Sequence, residues 1–231
     1  MSQEGDEAPA YLFVTADGEE KNTSRDYNGK ATATYHDGEI YEGYFKEGIR
    51  EGRGVYRYLN GDVYDGEWLK NKKHGMGTLT YIGVGEYKGF WENGRRHGEG
   101  VFTYSTNGDS YSGWWRFGCK EGFGTYTFSA TGQKMVGEWE NSEIKSGKWI
   151  YPNGMYYEGP FANNKPNGEG KWVFPYNNNT CKGSHTQKEL EPPEDAPDPE
   201  EGEVVKKDYA ITWTSDLSIA DSSAGINAIE R

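Results

Sequence analysis

Apolar and polar residues alternate with a period of two along most of the chain, which is the periodicity of a β-strand and not of a helix. Tyr64, Gly66 and Trp68 fall on one face of a predicted strand, with charged residues between them. The glycines and apolar residues at alternate positions of 75–81 fall on one face of the next predicted strand. The pattern therefore predicts a succession of β-strands whose buried faces combine aromatic rings with glycine.

One motif recurs six times, at steps of 23, 23, 24, 24 and 22 residues. It opens with a tyrosine, which Met135 replaces in the fifth copy, and it continues with a glycine and then an aromatic residue at two-residue intervals. These structural repeat positions are Tyr41, Gly43, Phe45; Tyr64, Gly66, Trp68; Tyr87, Gly89, Trp91; Tyr111, Gly113, Trp115; Gly137, Trp139; and Tyr157, Gly159, Phe161. An internal period of this length is typical of proteins built from stacked units that contact only their neighbours.

Each copy continues with a turn and a second strand. Seven positions after each opening residue stands a residue of a type that mostly tolerates positive φ, as a tight hairpin requires. These turn residues are Gly48, Asn71, Gly94, Gly118, Ser142 and Asn164. Between copies, the Asn-Gly pairs at 60–61, 107–108 and 153–154 predict two-residue turns. We therefore expect an all-β fold: an elongated single-layer antiparallel sheet of consecutive β-hairpins, with acidic disordered or extended tails.

Glycine also recurs in the second strand of each copy, for example at Gly52 and Gly54. Glycine inside a strand normally weakens it and marks the close approach of another group. We expect an aromatic ring of the adjacent strand to lie over the bare backbone at these positions, and rings of successive copies to meet edge-on or offset. About 13 such strands, spaced about 4.8 Å apart, predict a sheet roughly 60 Å long.

Composition supports a fold held together by rings. Leu, Ile, Val and Phe make up only 33 of 231 residues, which together with a net charge of −12 would normally indicate disorder. The chain also contains 8 Trp and 18 Tyr, whereas disordered chains are poor in aromatic residues. Acidic residues are concentrated near both ends, so the charge divides the chain into segments. We expect an acidic N-terminal segment (1–23), a repeat array (24–188), an acidic Pro-rich linker (189–203) and a C-terminal segment (204–231).

The pattern Tyr-x-Gly-x-Trp, a turn, Gly-x-Gly-x-x-x-Tyr and then Asn-Gly-Asp resembles the MORN repeat family over about 24–188. The resemblance implies an elongated sheet used for scaffolding, oligomerisation or attachment to membranes. Six copies, an acidic linker and a short non-repeat segment, in that order, are most similar to the radial spoke head protein 1 family of the ciliary axoneme. That likeness implies a scaffold subunit in the cytoplasm, cytoskeleton and axoneme of motile cilia or flagella, which contacts other spoke head subunits and faces the central pair apparatus. Self-association is a further option.

No residue pattern indicates catalysis. His74 and His97 lie 23 residues apart and occupy the same repeat position, so we interpret them as structural. Cys119 and Cys181 lack the spacing of a metal site, and the motifs of nucleophilic hydrolases and nucleotide-binding loops are missing from the sequence. We therefore expect no enzyme activity, no cofactor and no bound metal.

Two basic turns are candidates for anion binding. Lys72 and Lys73 stand in one turn, and Arg95 and Arg96 stand at the same place one repeat later. They suit phosphoinositide headgroups, and an alternative function is therefore a MORN-type membrane or cytoskeletal tether. The other interpretation is a solvated or protein-facing turn. A net charge of −12 disfavours binding to an anionic membrane, and we expect no nucleic-acid partner.

The C-terminal segment contains one short strand pattern, in which Tyr209, Ile211 and Trp213 alternate with polar or small residues. A single strand is not stable in water by itself. We interpret these three residues as a candidate partner-binding strand that adds to a sheet edge, either in this chain or on a partner, or else stays disordered.

Overall fold

The computed structural model describes residues 11–190 and 207–216, which form eighteen β-strands and no helix. The strands are β1 (Leu12–Thr15), β2 (Glu20–Lys21), β3 (Gly29–Thr34), β4 (Ile40–Lys46), β5 (Ile49–Arg57), β6 (Val63–Leu69), β7 (Lys72–Tyr81), β8 (Gly85–Glu92), β9 (Arg95–Tyr104), β10 (Ser110–Arg116), β11 (Cys119–Thr127), β12 (Lys134–Glu140), β13 (Glu143–Ile150), β14 (Tyr156–Ala162), β15 (Lys165–Pro166), β16 (Gly168–Phe174), β17 (Asn179–Glu189) and β18 (Tyr209–Ser215). None of the described residues forms a helix that could cross a lipid bilayer.

The strands form a single open antiparallel sheet, as predicted. From β3 to β14 each strand pairs with the next one in chain order. The sheet continues from β14 through β16 and β17 to β18, and the short β15 also pairs with β14. At the other end, β1 lies between β3 and the two-residue β2. The sheet therefore has more strands than the 13 expected, because it extends beyond the repeats at both ends.

The N-terminal extension lies inside the segment 1–23, which the sequence separates from the array by its acidity. Phe13 on β1 is fully buried, and its ring packs edge-on against Tyr27 and Phe45, with centroids 5.1 and 5.0 Å away. Among the described residues the sheet therefore begins at Leu12, and the buried Phe13 ring packs β1 against the rest of the sheet. Residues 1–10 lie outside the described part of the chain.

A row of glycines crosses the sheet at one level. Eleven glycines on consecutive strands from β4 to β14 stand directly opposite one another, because the strand register keeps every copy in phase. They are Gly43, Gly54, Gly66, Gly77, Gly89, Gly100, Gly113, Gly124, Gly137, Gly147 and Gly159. The row leaves a strip of bare backbone on the face that carries the rings, which we call the ring face.

The tyrosine rings fill this strip. A Cβ atom added to Gly43 would lie 2.5 Å from the Tyr41 hydroxyl, and one added to Gly54 on the next strand would meet the same ring. The ring therefore covers the glycine of its own strand as well as that of a neighbour, whereas the sequence suggested only an adjacent strand. The Tyr41 hydroxyl donates to the Tyr44 carbonyl oxygen at 3.0 Å, which satisfies its polar end. Tyr64, Tyr87, Tyr111 and Tyr157 repeat the arrangement.

Tryptophan rings stand between successive tyrosines. Trp68 packs edge-on against Tyr41 and Tyr64, with centroid distances of 5.3 and 5.2 Å, and its indole N–H donates to the Gly54 carbonyl oxygen at 3.1 Å. Trp91, Trp115 and Trp139 make the equivalent hydrogen bond one, two and three copies later. Edge-on aromatic pairs contribute about 0.5–1.5 kcal/mol beyond the burial of their area. From Tyr41 to Trp139 the core of the sheet is thus a continuous chain of tyrosine and tryptophan rings, which ends where Met135 replaces the next tyrosine.

The first glycine of Gly-x-Gly has a different function from the second. Gly75 has a φ of +56° at a β-bulge, and a Cβ added there would meet the Glu67 side chain on the face opposite the rings. A Cβ added to Gly77 would instead meet Tyr64 on the ring face. Gly75 and Gly77 keep the expected alternate positions in the β7–β8 register, opposite Trp91 and Gly89, but the left-handed φ of Gly75 turns its Cβ direction to the other face where the β6–β7 register shifts by two residues. Gly52, Gly98 and Gly122 also have positive φ.

The hairpins within copies have the predicted tight turns. Both central residues of each two-residue loop have positive φ, as a type I′ turn requires. The loops are Glu47-Gly48, Lys70-Asn71, Asn93-Gly94, Phe117-Gly118, Asn141-Ser142 and Asn163-Asn164.

The turns between copies are longer than predicted. At Asn60-Gly61 only the glycine has positive φ, and Tyr58 N–H donates to the Asp62 carbonyl oxygen at 2.9 Å, so the loop contains three residues. The pair at 153–154 lies in an equivalent loop, and the pair at 107–108 lies in a four-residue loop. An Asn-Gly pair is compatible with both loop lengths, because glycine can supply the left-handed position of either.

Candidate protein-binding surfaces

A row of cations lies on the ring face. Each member stands nine residues after the opening residue of its copy and directs its charged group over aromatic rings. The row consists of Arg50, Lys73, Arg96 and Lys120. The Arg50 guanidinium lies 4.6 Å from the Trp68 ring centroid, and the Arg96 guanidinium lies 4.4 Å from that of Trp115. Cation–π attraction, which is strongest over tryptophan, therefore contributes to holding these side chains in place.

Hydrogen bonds connect the arginines of this row to the next hairpin. Arg50 donates to the Asn71 carbonyl oxygen at 3.1 Å, and Arg96 donates to the Gly118 carbonyl oxygen at 2.8 Å. Each acceptor lies in a two-residue turn of the following copy. The two arginines thus tie consecutive repeats together. In the fifth and sixth copies the same position holds the buried residues Ile144 and Pro166, so an apolar side chain can occupy it.

Burial lowers the pKa of the lysines in this row. Removal from water lowers the pKa of Lys73 to about 8 and that of Lys120 to about 8, and the positive charge of Arg96 acts in the same direction on both. A lysine in the unfolded chain keeps its proton up to about pH 10.4. Between these values the unfolded state binds more protons, so this contribution makes the folded protein more stable as pH rises.

We expect the free energy of unfolding of Lys120→Met to rise less between pH 7.5 and 9.5 than that of the wild type, because the variant has one fewer lysine of lowered pKa. Denaturant unfolding at about five pH values in this window, below the ordinary tyrosine pKa of about 10, measures the slope. Lys72→Met, on the exposed opposite face, is the control and should leave the slope unchanged. An unchanged slope for Lys120→Met would contradict the lowered lysine pKa.

The structure divides the basic residues that the sequence proposed as a joint anion site. Lys73 and Arg96 lie on the ring face, with their charged groups over Trp91 and Trp115. Lys72 and Arg95 are exposed and precede them by one residue, so strand alternation directs their side chains to the opposite face. The interpretation of all four as one anion-binding patch is therefore not supported by the geometry, which places two of them on each face.

The opposite face, which we call the outer face, carries an apolar patch in the middle of the sheet. The patch consists of Met76, Phe90, Val101, Trp114 and Phe123 on the consecutive strands β7 to β11. Phe90, Trp114 and Phe123 are 47%, 52% and 57% exposed. They line a shallow open groove of about 600 Å³ whose floor includes Gly89, Gly100 and Gly113. Large exposed apolar patches are typical of interaction sites.

Two carboxylates lie beside this patch. Glu99 stands opposite Trp114 in the register, and Glu138 stands opposite Phe123. The two acids lie three strands apart, on β9 and β12, which corresponds to about 14 Å. Within residues 11–190 and 207–216, neither carboxylate has an ion-pair partner. The outer face therefore offers apolar groups with negative charges beside Trp114 and Phe123 and a positive charge, Lys88, opposite Val101.

The candidate partner-binding strand docks within the chain. β18 pairs with β17 over seven residues, with Tyr209 opposite Glu189 and Ile211 opposite Gln187. The Trp213 ring lies 4.6 Å from the His185 ring and 6.4 Å from the Tyr157 ring. Of the alternatives left open by the sequence, the structure shows docking in this chain. The Pro-rich part of the linker (191–203), together with residues 204–206 and 217–231, lies outside the described residues.

His74 and His97 each lie beside a glutamate of the same hairpin. His97 lies 3.4 Å from a carboxylate oxygen of Glu92, and His74 stands opposite Glu67 in the register of the preceding hairpin. In the part of the chain that the structure describes, no three His, Cys, Asp or Glu residues converge as metal ligands would.

The cation row and the apolar patch were both missed by sequence reasoning. The cation row does have a sequence signal, because Arg50, Lys73, Arg96 and Lys120 share one repeat position. The patch has none, because the fourth position of the motif is aromatic in only three of the six copies and is otherwise Glu67, Glu138 or Pro160.

Comparison with protein families identifies MORN repeats in this chain. The family model for the MORN repeat matches residues 41–63, 64–82, 87–108, 111–130 and 157–175. The chain thus carries five MORN repeats, and the copy that opens with Met135 lies outside the matched segments. Its Trp139 ring nevertheless packs against the tyrosine of the preceding copy, 5.1 Å from Tyr111, as the tryptophans of the matched copies do. Repeats of this family are typical of non-catalytic structural or binding scaffolds.

No curated protein matches the chain. Among solved structures, the chain is similar to the TCP domain of SAS-4 (dCPAP) from Drosophila melanogaster, which was solved in complex with a proline-rich motif of Ana2 (dSTIL). The two are 15% identical with a TM-score of 0.44, and the match covers 78% of this chain and 93% of that one. A likeness at this level carries no functional argument.

Proposed function

We propose that this chain, with its five MORN repeats, is a non-catalytic scaffold subunit of the radial spoke head in motile cilia or flagella. In that position it helps to transmit signals between the central pair and the spokes, and so to regulate dynein-driven motility. The order of repeats, acidic linker and short terminal segment supports this assignment by its similarity to the radial spoke head protein 1 family. The apolar patch on the outer face is the observation that carries the scaffold function.

In this proposal the ring face of the sheet stabilises the fold and the outer face binds the partner. The ring face is occupied by its own rings, which are largely buried by one another. The outer face leaves Phe90, Trp114 and Phe123 about half exposed around an open groove. Burying apolar surface contributes about 25 cal/mol per Å², so these rings favour a partner that covers them.

The chemistry of the patch defines the partner surface. Glu99 and Glu138 lie beside the exposed rings and about 14 Å apart. A complementary segment of another spoke head subunit presents apolar side chains between lysine or arginine residues at a similar spacing. Such charge pairs contribute more to specificity and to association rate than to affinity, while the central aromatic residues supply most of the binding energy.

Axonemal location is tested by mass spectrometry of isolated axonemes before and after salt extraction. The proposal predicts that the chain remains with the axoneme after detergent treatment and is extracted together with other spoke head subunits. Absence from axonemes, or extraction independent of the spoke head, would contradict it.

The use of the patch is tested by substitution of its central ring. We expect Trp114→Ser to weaken binding to the extracted spoke head subunits by about thirtyfold, which corresponds to about 2 kcal/mol for an interfacial aromatic residue. Tyr44→Ser is a matched control, because Tyr44 has the same repeat position and is 53% exposed but lies on β4, away from the patch. Equal binding by the two variants would rule out the patch as the docking surface.

A further inference from the structure

We propose that a cavity on the ring face, beside Lys120, binds a carboxylate that carries a short apolar or aromatic group. The carboxylate belongs either to a small molecule or to the C-terminal residue of a partner chain, because both present the same chemical group. This site lies on the face opposite the apolar patch, and it does not depend on the location of the protein.

The cavity lies where the fifth copy departs from the repeat. It has a volume of about 270 Å³, and it is lined by Lys120 of the fourth copy and by Met135, Trp139 and Ser142 of the fifth, among others. Met135 replaces the opening tyrosine, and Ser142 replaces the glycine or asparagine of the other turns. At the position that holds a cation in the first four copies, the fifth copy has the buried Ile144. The chain of rings and the row of cations therefore both end beside this cavity.

Lys120 brings a positive charge to the cavity without an anionic partner. Its ammonium lies 4.8 Å from the Tyr126 ring centroid and 5.1 Å from that of Trp139. The other three members of the cation row each donate a side-chain hydrogen bond within the protein. Among residues 11–190 and 207–216, the Lys120 ammonium has neither a hydrogen bond nor an ion pair.

The environment of this ammonium favours a bound anion. Burial lowers the pKa of Lys120 to about 8, because removal from water disfavours the charged form. An anion within hydrogen-bond distance compensates for the lost hydration, and a charge-assisted hydrogen bond is stronger than a neutral one. Since Lys120 is the one cation in the lining, a monoanion such as a carboxylate matches the charge of the site.

Two further donors line the same cavity. Ser142 Oγ accepts a hydrogen bond from Lys120 N–H at 3.1 Å, and Asn164 Oδ1 accepts one from Ile144 N–H at 3.1 Å. These bonds position both side chains and leave the Ser142 O–H and the Asn164 amide N–H groups without an acceptor in the described part of the chain. Ammonium, hydroxyl and amide groups thus offer hydrogen bonds to the two oxygens of a carboxylate.

The remainder of the lining is mostly aromatic or apolar. It includes the buried side chains of Met135 and Trp139 and the ring of Phe128. Sites for drug-sized ligands occupy about 300–1,000 Å³, so this smaller cavity suits a group of roughly the size of one amino-acid side chain. A phenyl or alkyl group attached to the carboxylate contacts these side chains while its oxygens reach Lys120.

Methyl NMR of the full chain tests the site with phenylacetate as the probe. The Met135 methyl group reports on the cavity, and the Met76 methyl group, on the outer face, is an internal reference. We expect phenylacetate to shift the Met135 signal with a Kd of about 1 mM, and the uncharged phenylacetamide to bind about tenfold more weakly or less. Equal binding of the two probes, or an unchanged Met135 signal, would overturn the proposal.

Substitution of Lys120 tests the role of its charge. We expect Lys120→Met to weaken phenylacetate binding by about tenfold or more, which is typical of losing a hydrogen bond to a charged group. Apolar Ile144 occupies the same repeat position, so the variant should fold. Lys73→Met is the matched control, because Lys73 shares the repeat position but donates to the Tyr58 hydroxyl and does not line this cavity. The same affinity in both variants would contradict a site at Lys120.

A peptide probe distinguishes the two sources of the carboxylate. An acetylated tripeptide of two glycines and a C-terminal phenylalanine is titrated with a free carboxylate and, as a control, with a C-terminal amide. Binding of the free acid more tightly than phenylacetate assigns the site to the end of a partner chain, and weaker binding assigns it to a small carboxylate. Binding of the amide as tightly as the free acid would overturn the carboxylate site itself.

Discussion

Replacing Gly89 by valine is expected to lower the free energy of unfolding by about 3 kcal/mol or more, the upper part of the range for overpacking. Even the first carbon of the new side chain has no room. A Cβ atom at this position would lie 2.5 Å from the Gly100 Cα, 2.6 Å from the Glu99 carbonyl oxygen and 2.7 Å from the Tyr87 hydroxyl. Two of these three atoms belong to the backbone of the adjacent strand, so relief requires the strands to separate.

The control for this variant is Gly94→Asn, in the turn of the same hairpin. Gly94 has a φ of +85° and open space around its Cα, and asparagine occupies the same turn position at Asn71 and Asn164. We expect less than about 1 kcal/mol of change, because asparagine tolerates the left-handed conformation. Denaturant unfolding measures both variants. Equal stabilities would show that the glycine row does not need bare backbone.

Replacing Trp115 by alanine is expected to lower the free energy of unfolding by about 4 kcal/mol, as is typical of a buried tryptophan. The ring is 3% exposed and lies 5.2 Å from both the Tyr87 and Tyr111 rings. Its indole N–H donates to the Gly100 carbonyl oxygen at 3.1 Å, and the Arg96 guanidinium stacks 4.4 Å from its centroid. Its loss therefore removes contacts with two copies and leaves the partly buried Gly100 carbonyl oxygen without this donor.

The adjacent residue supplies the control. Trp114 has the same side chain but points to the outer face, where it is 52% exposed. Trp114→Ala should change the free energy of unfolding by less than about 0.5 kcal/mol, as is usual for exposed sites. Thermal or denaturant unfolding of the two variants compares identical substitutions on opposite faces. A similar loss of stability in both variants would contradict the division of the sheet into a ring face that stabilises the fold and an outer face that does not.

Much of the fold could be predicted because the repeat consists of residue types that favour particular backbone conformations, such as glycine and asparagine in turns. Turn residues such as Gly48 and Asn71 have positive φ as expected, and the in-phase motif correctly aligns Gly43 with Gly54 across the strands. The β-bulge at Gly75 could not be predicted, because period-two alternation has no signal for a two-residue shift in strand register. The strand at Leu12 was also missed, since four residues without the repeat motif do not distinguish a strand from an extended tail.

The binding surfaces were less predictable than the fold. The sequence suggested that Lys72 and Lys73 act together, but strand alternation separates adjacent residues onto opposite faces, and the rings hold only Lys73. Exposed positions such as Phe90 and Trp114 are not constrained by the packing of the repeat. Their importance appears only when the register brings neighbouring strands together into one patch.

The most direct measurement determines both stability and partner binding for the Trp114 and Trp115 variants in the same preparations. Chemical denaturation gives the first quantity, and titration against salt-extracted spoke head subunits gives the second. We predict that Trp115→Ala loses about 4 kcal/mol of stability, whereas Trp114→Ser keeps its stability and loses most of its binding. A Trp114→Ser variant that unfolds as easily as Trp115→Ala, or that binds as the wild type does, would contradict the central claim that one face folds the chain and the other recruits its partner.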